Sequence, residues 1–211
     1  MKRLALLPCL LALAGCTVGE GSGEVTSDRL YIEDCWDGPF NLRPDFFAAN
    51  PFRDDALIIR VQRGDDLTEL SDGLYVVVNG LKDKRAQLES AGSLSLSVGL
   101  PADIEVIGGG GEMSSFSPTD VSLALYLHST CHTVNGAVYS LSGDITFSSL
   151  FSGDINEPDA ADRLTEASFT AQFADPRQLT GDATENAAVT STVSGNFRFF
   201  FQRGQPAQPF Q

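Results

Sequence analysis

Apolar and polar residues alternate along several stretches of the chain, which is the period-2 pattern of half-buried β-strands. The clearest case is 94–100, where leucine and valine alternate strictly with serine and glycine. The other stretches with strand character are 30–32, 57–62, 74–78, 104–107, 121–128, 137–147, 164–173 and 189–201. The pattern therefore predicts about nine or ten strands.

Turn residues separate most of these stretches, and no strong helical period interrupts them. Asn79-Gly80 and Asn135-Gly136 are dipeptides that favour the tight turn of a β-hairpin. Residues 81–90 are an exception, because LKDKRAQLES could form a short helix instead. Many short strands with turns between them are typical of an antiparallel sandwich or barrel. We expect an all-β fold, a single antiparallel β-sandwich over residues 28–211.

The first sixteen residues, MKRLALLPCLLALAGC, follow a different pattern. Lys2 and Arg3 precede a short apolar run, 4–13, and small residues follow it directly before Cys16. A charged start, a short apolar run and a small-residue cleavage site characterise a secretory signal peptide. The run is too short to span a bilayer permanently. We interpret 1–15 as a cleaved signal peptide, with a non-lipidated signal or an uncleaved anchor as the alternatives.

The segment Leu13-Ala14-Gly15-Cys16 resembles the lipobox of bacterial lipoproteins. The resemblance implies that the thiol of Cys16 receives a diacylglycerol and that cleavage occurs directly before this residue. The residue after the cysteine is Thr17 and not an aspartate. By resemblance to enteric sorting rules, this favours the outer membrane. We therefore expect an exported, lipid-anchored protein of the bacterial cell envelope, whose membrane contact is the lipid on Cys16.

Residues 16–27 are predicted to be a flexible tether, because glycine, serine, threonine and glutamate dominate them. The segments CWDGPFNLRPDFF (35–47) and FRFFFQRGQPAQPF (197–210) resemble bacterial envelope lipoproteins, and this resemblance implies no particular activity. An aromatic group in the first segment and shortly after it predicts core packing, with an aromatic platform for sugars or an apolar pocket as the alternatives. Its members are Trp36, Phe40, Phe46, Phe47 and Phe52.

The charge of the chain excludes one class of partner. Its formal net charge is −14, and loss of Lys2 and Arg3 with the signal peptide makes this −16. A nucleic-acid-binding protein needs a basic stripe to neutralise phosphates, and only Lys82 and Lys84 remain as lysines after cleavage. We therefore expect no nucleic-acid partner, and the sequence leaves a protein or a glycan partner open.

The chain has four cysteines, and the signal peptide changes how they are counted. Cys9 leaves with the signal and Cys16 carries the lipid, so Cys35 and Cys131 remain. Two cysteines in an exported chain predict a disulfide, because that compartment is oxidising. Such a bond would stabilise the fold by about 4–5 kcal/mol in the chain-entropy treatment of a loop of roughly 100 residues. Two separate buried thiols are the alternative.

Two groups of residues were considered as metal sites. His128, Cys131 and His132 are close in sequence, but zinc requires four ligands, and on a strand the histidines and the cysteine point to opposite faces. The acidic segment 154–162 carries oxygen ligands suited to calcium, although Pro158 breaks the EF-hand pattern. We expect no metal site and no cofactor, with a calcium-stabilised loop at 154–162 left open.

No catalytic motif stands out in the sequence. The glycine run 108–111 lacks the Lys-Ser/Thr of a phosphate-binding loop, and no Gly-x-Ser-x-Gly elbow is present. Whether the protein is an enzyme stays open, and we expect no catalytic residues. The favoured role is binding or structural, and the alternative is a surface hydrolase or a carbohydrate-binding protein that uses the acidic loops.

Overall fold

A computed structural model describes residues 21–64, 71–101, 119–132, 136–179 and 189–203. The predicted signal peptide 1–15, the predicted lipidation site Cys16 and the predicted strand 104–107 lie outside these residues. The strands are β1 (Gly21–Ile32), β2 (Trp36–Leu42), β3 (Phe46–Phe52), β4 (Ala56–Gln62), β5 (Asp72–Asn79), β6 (Leu94–Gly99), β7 (Val121–Leu127), β8 (Ala137–Ser149), β9 (Leu164–Ala174) and β10 (Ser191–Phe200). One α-helix, α1 (Leu81–Ala91), and a 3-10 turn at Pro176–Gln178 complete the described elements.

All ten strands belong to one curled sheet, in the order β2-β1-β10-β9-β8-β6-β7-β5-β4-β3. The pairs are antiparallel except β6 with β7, which are parallel. Strands β2 and β3 lie at opposite ends of this order, yet only three residues separate Leu42 from Phe46. A connection of four Cα–Cα steps spans at most about 14 Å. The sheet therefore curls until its two edge strands approach each other.

The inward side chains of every strand pack into one hydrophobic core. Its largest fully buried members include Phe147, Phe173 and Phe197. Phe47 on β3 stacks on Phe199 on β10, with ring centroids 5.7 Å apart, although the two strands are far apart in the sheet order. Burial of each such side chain stabilises the fold by roughly 1.5–3 kcal/mol. The core therefore holds the curled sheet together across its open side.

The predominance of β-strands is confirmed, and the described strands number ten, although β2 and β3 were not among the predicted stretches. Two finer expectations are not confirmed. The described strands form one sheet, not the two layers of a sandwich, and one strand pair is parallel. The reason is a fork in β8, whose first residues pair with β7 while its later residues pair with β6. The buried hydroxyl of Ser140 lies at this fork. It accepts from the Leu123 N–H at 2.8 Å and donates to the Gly99 carbonyl at 2.7 Å.

Strand β1 begins earlier than its composition indicated. Gly21 already pairs with Phe199 and Val25 is fully buried, so residues 21–27 belong to the sheet and not to the expected tether 16–27. A Cβ atom at Gly21 would lie 2.6 Å from the ring of Phe47, which is too close for any other residue to fit there without moving the ring. The glycines that made this segment resemble a linker thus let β1 approach the aromatic core closely.

The prediction of a tight hairpin turn at Asn79-Gly80 is wrong, because helix α1 follows this dipeptide. The alternative prediction, a short helix over 81–90, is confirmed. Gly80 adopts a left-handed conformation with φ 67°, and the chain enters the helix there. The turn before β4 supplies the cap: the Asp55 carbonyl accepts from the Gly80 N–H, and its carboxylate accepts from the Lys82 N–H at 3.0 Å. Leu81 and Leu88 bury the helix against the core.

The predicted disulfide between Cys35 and Cys131 is confirmed, with the two Cα atoms 5.6 Å apart. It joins the turn after β1 to the turn after β7. Asp72 shapes the second turn, because its carboxylate accepts from the Ser129 and Thr130 N–H groups at 2.9 and 3.0 Å. In the part of the chain that the structure describes, no helix is long and apolar enough to cross a membrane.

Candidate functional site

A group of aromatic and cationic side chains projects from the outer side of β4, β5, β7 and β8. In one cross-strand row Arg60 lies opposite Tyr75, Tyr75 opposite Ala124, and Ala124 opposite Tyr139. Tyr126 lies in the next row, opposite Gly73. We call the group the tyrosine face, and it comprises Arg60, Tyr75, Tyr126, His128 and Tyr139. Three of the chain's four tyrosines belong to it.

Tyr126 is the centre of the tyrosine face. The rings of Tyr75 and Tyr139 each lie 6.3 Å from it, edge-on at 88° and 84°. The His128 ring stacks on its other side at 5.5 Å. Edge-to-face aromatic pairs of this kind stabilise by about 0.5–1.5 kcal/mol beyond their buried area. The rings are therefore a rigid group and not independent surface side chains.

Arg60 lies over the Tyr75 ring, with the guanidinium carbon 5.5 Å from the ring centroid. Burial lowers the pKa of the Arg60 guanidinium, and the neighbouring phenol partly offsets this. Burial likewise raises the pKa of Tyr75, with Arg60 acting in the opposite direction. Among the described residues, the side chain of Arg60 interacts with the Tyr75 ring through this cation–π contact. Such a contact stabilises a half-buried cation by up to about 2 kcal/mol.

The hydroxyl of Tyr126 is the most strongly perturbed group of the tyrosine face. Burial raises the pKa of Tyr126 well above its ordinary value, and its interactions with Tyr139 and Tyr75 raise it further. A phenol of this kind stays protonated at every physiological pH. Tyr126 is therefore a neutral hydrogen-bonding group at physiological pH.

Among the described residues, no carboxylate occupies the cross-strand rows in and around the tyrosine face. Three cross-strand rows of the described sheet contain neither aspartate nor glutamate. The rows are Asn50-Ile58-Val77-Ser122, Ala48-Arg60-Tyr75-Ala124-Tyr139 and Phe46-Gln62-Gly73-Tyr126-Ala137. The chain as a whole carries 28 acidic residues and a net charge of −14, so this region is electrostatically unlike the average of the chain.

Three buried polar atoms in these rows have no hydrogen-bond partner: Asn50 Nδ2, Arg60 Nε and Gln62 Oε1. Native proteins leave few buried polar groups unsatisfied, because each costs about 1–3 kcal/mol. Two of the three atoms, those of Asn50 and Arg60, are hydrogen-bond donors.

The residues that the sequence offered for metal binding are engaged elsewhere. Cys131 is bonded to Cys35, which removes the thiolate that zinc would need. In the acidic loop 154–162, the Asp154 and Asp159 carboxylates accept from backbone N–H groups two residues further on. No group of three or more metal-binding side chains occurs among the described residues.

The acidic loop also carries a structural ion pair. Asp162 accepts a 2.6 Å hydrogen bond from the Arg85 guanidinium, which in turn donates to the Leu150 carbonyl. The loop is thereby attached to helix α1. The carboxylates considered for a hydrolase or for sugar binding thus contribute to local structure: they cap their own loop and hold the helix in place.

Four of the five residues of the aromatic group, all except Phe52, are buried or partly buried. Phe40, Phe46 and Phe47 are buried, and Trp36 packs partly buried against the core. Core packing is therefore confirmed for these residues. Phe52, at the end of β3, is 38% exposed and carries the Arg53 guanidinium over its ring at 4.9 Å.

A small cavity of about 160 Å³ lies between β3 and the residues that follow β10. Ala48, Asn50, Ile155 and Phe201 are among its lining residues. Sites that enclose a drug-sized ligand usually measure 300–1,000 Å³. The cavity is therefore large enough for one or two side chains of a partner.

No protein-family model, curated protein or solved structure matches this chain. Of the tyrosine face, only His128 was a candidate from the sequence, and Arg60, Tyr75, Tyr126 and Tyr139 were not. The alternation along each strand assigned these residues to the outer side, but it could not show that β7 lies between β5 and β8, which brings the three tyrosines together.

Proposed function

We propose that this protein is a lipid-anchored binding protein of the bacterial cell envelope and that the tyrosine face is its binding surface. The observation that carries the binding role is the combination of three tyrosines and an arginine in rows of the described sheet that contain no carboxylate. Tyrosine and arginine are enriched in protein interfaces and at their energetic centres, whereas aspartate and glutamate are depleted there. Tyrosine also loses little conformational entropy on binding.

The proposed location follows from the first residues of the chain. Each buried methylene of an acyl chain contributes about 0.8 kcal/mol, so two or three chains on Cys16 would hold the protein stably on a membrane. The Cys35–Cys131 disulfide supports export, because such bonds persist in oxidising compartments. Thr17 after the lipidated cysteine supports the outer membrane as the destination.

Photo-crosslinking in the native envelope tests the binding surface. A photoreactive phenylalanine analogue replaces Tyr139 in one variant and Thr170, which is exposed on the outer side of β9, in the control variant. We expect a discrete crosslinked product from position 139 and none from position 170. Equal products from both positions, or none from position 139, would contradict the proposed surface.

Metabolic labelling with a palmitate analogue tests the anchor. The wild-type protein should incorporate the label, and the Cys16→Ser variant should not, because the acceptor thiol is then absent. Labelling of both proteins to the same extent would eliminate Cys16 as the attachment site. Fractionation of the two membranes then tests the proposed outer-membrane location.

A further inference from the structure

We propose that the protein rests on the membrane surface through the exposed side chains of Phe52 and Ile155, at the end of the curled sheet where β1 begins. This inference rests on the lipid anchor of the proposed function and adds a second, non-covalent contact with the bilayer. The contact would fix the orientation of the sheet on the membrane, which a lipid on a single cysteine does not do by itself.

The strand directions place both side chains at this end. Gly21, the first residue of β1, pairs with Phe199 near the end of the antiparallel β10. Phe47 on β3 stacks on Phe199. Further along, β3 and the residues after β10 line one cavity together with Ile155. Strand β3 therefore runs past the first residue of β1 to its own end at Phe52.

Among the described residues, two large apolar side chains are exposed: Phe52 at 38% and Ile155 at 49%. Ile155 lies in a turn closed by a hydrogen bond from the Glu157 N–H to the Asp154 carbonyl at 3.0 Å. Phe52 directly precedes the turn that leads to β4, in which Arg53 has a left-handed φ of 54°. Both side chains therefore lie at the tips of connections between strands, where one broad surface can contact them together.

The predicted lipidation site is close to the same end. Cys16 precedes Gly21 by five residues, and five Cα–Cα steps span at most about 18 Å. Strand β1 has twelve residues and, at 3.2–3.4 Å per residue, is about 37 Å long. The disulfide, which lies after the end of β1, is thus about twice as far from Gly21 as the anchor can be. A lipid on Cys16 therefore keeps Phe52 and Ile155 much closer to the bilayer than the disulfide.

The chemistry of the two tips suits a bilayer surface. The Arg53 guanidinium lies over the Phe52 ring at 4.9 Å, and an arginine in such a position can bury its apolar stem and leave its charge among the headgroups. Beside Ile155, the Asp154 carboxylate accepts from the Asn156 N–H at 2.8 Å. The net charge of −14 opposes adsorption to anionic lipid. The contact is therefore apolar, and the acyl chains supply the affinity for the membrane.

Fluorescence quenching in vesicles tests the inference. The mature lipidated protein is reconstituted in phosphatidylcholine vesicles that contain spin-labelled lipid, with a bimane label at Ile155→Cys. In the control the label is at Thr190→Cys, which is exposed directly before β10 at the far end of the sheet. Because Cys16 is acylated and Cys35 is bonded to Cys131, the label reacts with the introduced thiol. We expect strong quenching at position 155 and little at position 190, since interfacial side chains lie about 5–10 Å deep in the headgroup region.

A second arm alters one tip and measures the other. With the label at position 155, Phe52→Glu should lower the ratio of membrane-contacting to detached protein about tenfold, because a carboxylate replaces an apolar ring that the contact buries. Phe52→Leu is the matched control and should preserve the quenching. Partial exchange of phosphatidylcholine for phosphatidylglycerol should not raise the quenching, since the chain is acidic.

The inference would be overturned by equal quenching at positions 155 and 190, by quenching that Phe52→Glu leaves unchanged, or by quenching that phosphatidylglycerol increases. A discrete protein crosslink from a photoreactive residue at position 155 in the native envelope would also overturn it, because this end would then contact a protein. If palmitate labels Cys16 and position 155 stays unquenched, the anchor stands and the membrane contact falls. Absence of palmitate labelling would remove the anchor and this contact together.

Discussion

The two outer surfaces of this sheet differ in whether their polar groups find partners within the chain. On β9 and β10, serine, threonine and glutamine side chains pair with one another: Thr170 with Ser194 at 3.0 Å and Gln172 with Thr192 at 2.9 Å. We call these four residues the Ser/Thr face. On the tyrosine face and the rows beside it, Asn50 and Arg60 retain buried donors without acceptors.

The two arginine–aromatic pairs show the same contrast. Arg198 has both an aromatic ring and the Glu166 carboxylate, and it lies half exposed in solvent. Arg60 has a ring and no carboxylate, and it is more deeply buried. A surface that satisfies its own donors requires nothing further from outside. Among the described residues Arg60 has no carboxylate partner, and partial burial of such a cation costs free energy.

Removing the disulfide should cause the largest loss of unfolding free energy. This bond joins a turn next to the Ser/Thr side of the sheet to a turn next to the tyrosine side, so it tests whether the two sides unfold together. The double variant Cys35→Ala/Cys131→Ala should lose about 2–5 kcal/mol of unfolding free energy, since the unfolded chain regains the freedom of a long loop. Urea denaturation measures this loss. Because one core spans both sides, we expect a single transition. Two separate transitions would mean that the two surfaces belong to independent folding units.

Disrupting the fork in the sheet should cause the next largest loss of unfolding free energy. Ser140→Ala removes the hydroxyl that satisfies the Leu123 N–H and the Gly99 carbonyl, and we expect a loss of about 2–3 kcal/mol because both groups are then buried without partners. Ser142→Ala, on the same strand and exposed, is the matched control and should change the unfolding free energy by less than about 0.5 kcal/mol. Equal urea midpoints for the two variants would refute the role of Ser140.

Of the three changes, alkaline pH should have the smallest effect on the unfolding free energy. The effect tested here comes from Tyr126 on the tyrosine face. Since burial raises the pKa of Tyr126, the folded state holds this proton at a pH where the unfolded state, with a phenol pKa near 10, has released it. The stabilisation is therefore complete below about pH 10 and decreases as the pH rises further. The unfolding free energy should fall between about pH 10 and 12 in the wild type and fall less in Tyr126→Phe.

The control for this prediction is Thr170→Ala on the Ser/Thr face, where the lost hydroxyl does not ionise in this range. Its pH profile should run parallel to that of the wild type. Parallel profiles for all three proteins would show that the Tyr126 hydroxyl is solvated in the folded state, contrary to its burial between Tyr75 and Tyr139.

Strand positions could be predicted where alternation alone decides burial. The faces formed by Phe169, Ala171 and Phe173 on β9 and by Val193, Phe197 and Phe199 on β10 are buried as expected. The disulfide followed from the count of cysteines left after the predicted cleavage. Composition misled at residues 21–27, because glycine favours both flexible linkers and close packing against aromatic rings, and only the position of Phe47 distinguishes the two.

By itself, the sequence determined the predominance of β-strands, the inward side of the strands that alternate regularly and the cysteine pair, because each of these depends on local pattern or on counting. The proposed lipid anchor likewise rests on the sequence alone. The order of the strands was decided by tertiary structure alone. Alternation specifies which side of a strand faces the core but not which strands are neighbours, and that depends on how inward side chains from the whole chain pack together. The tyrosine face exists only because that packing places β5, β7 and β8 side by side.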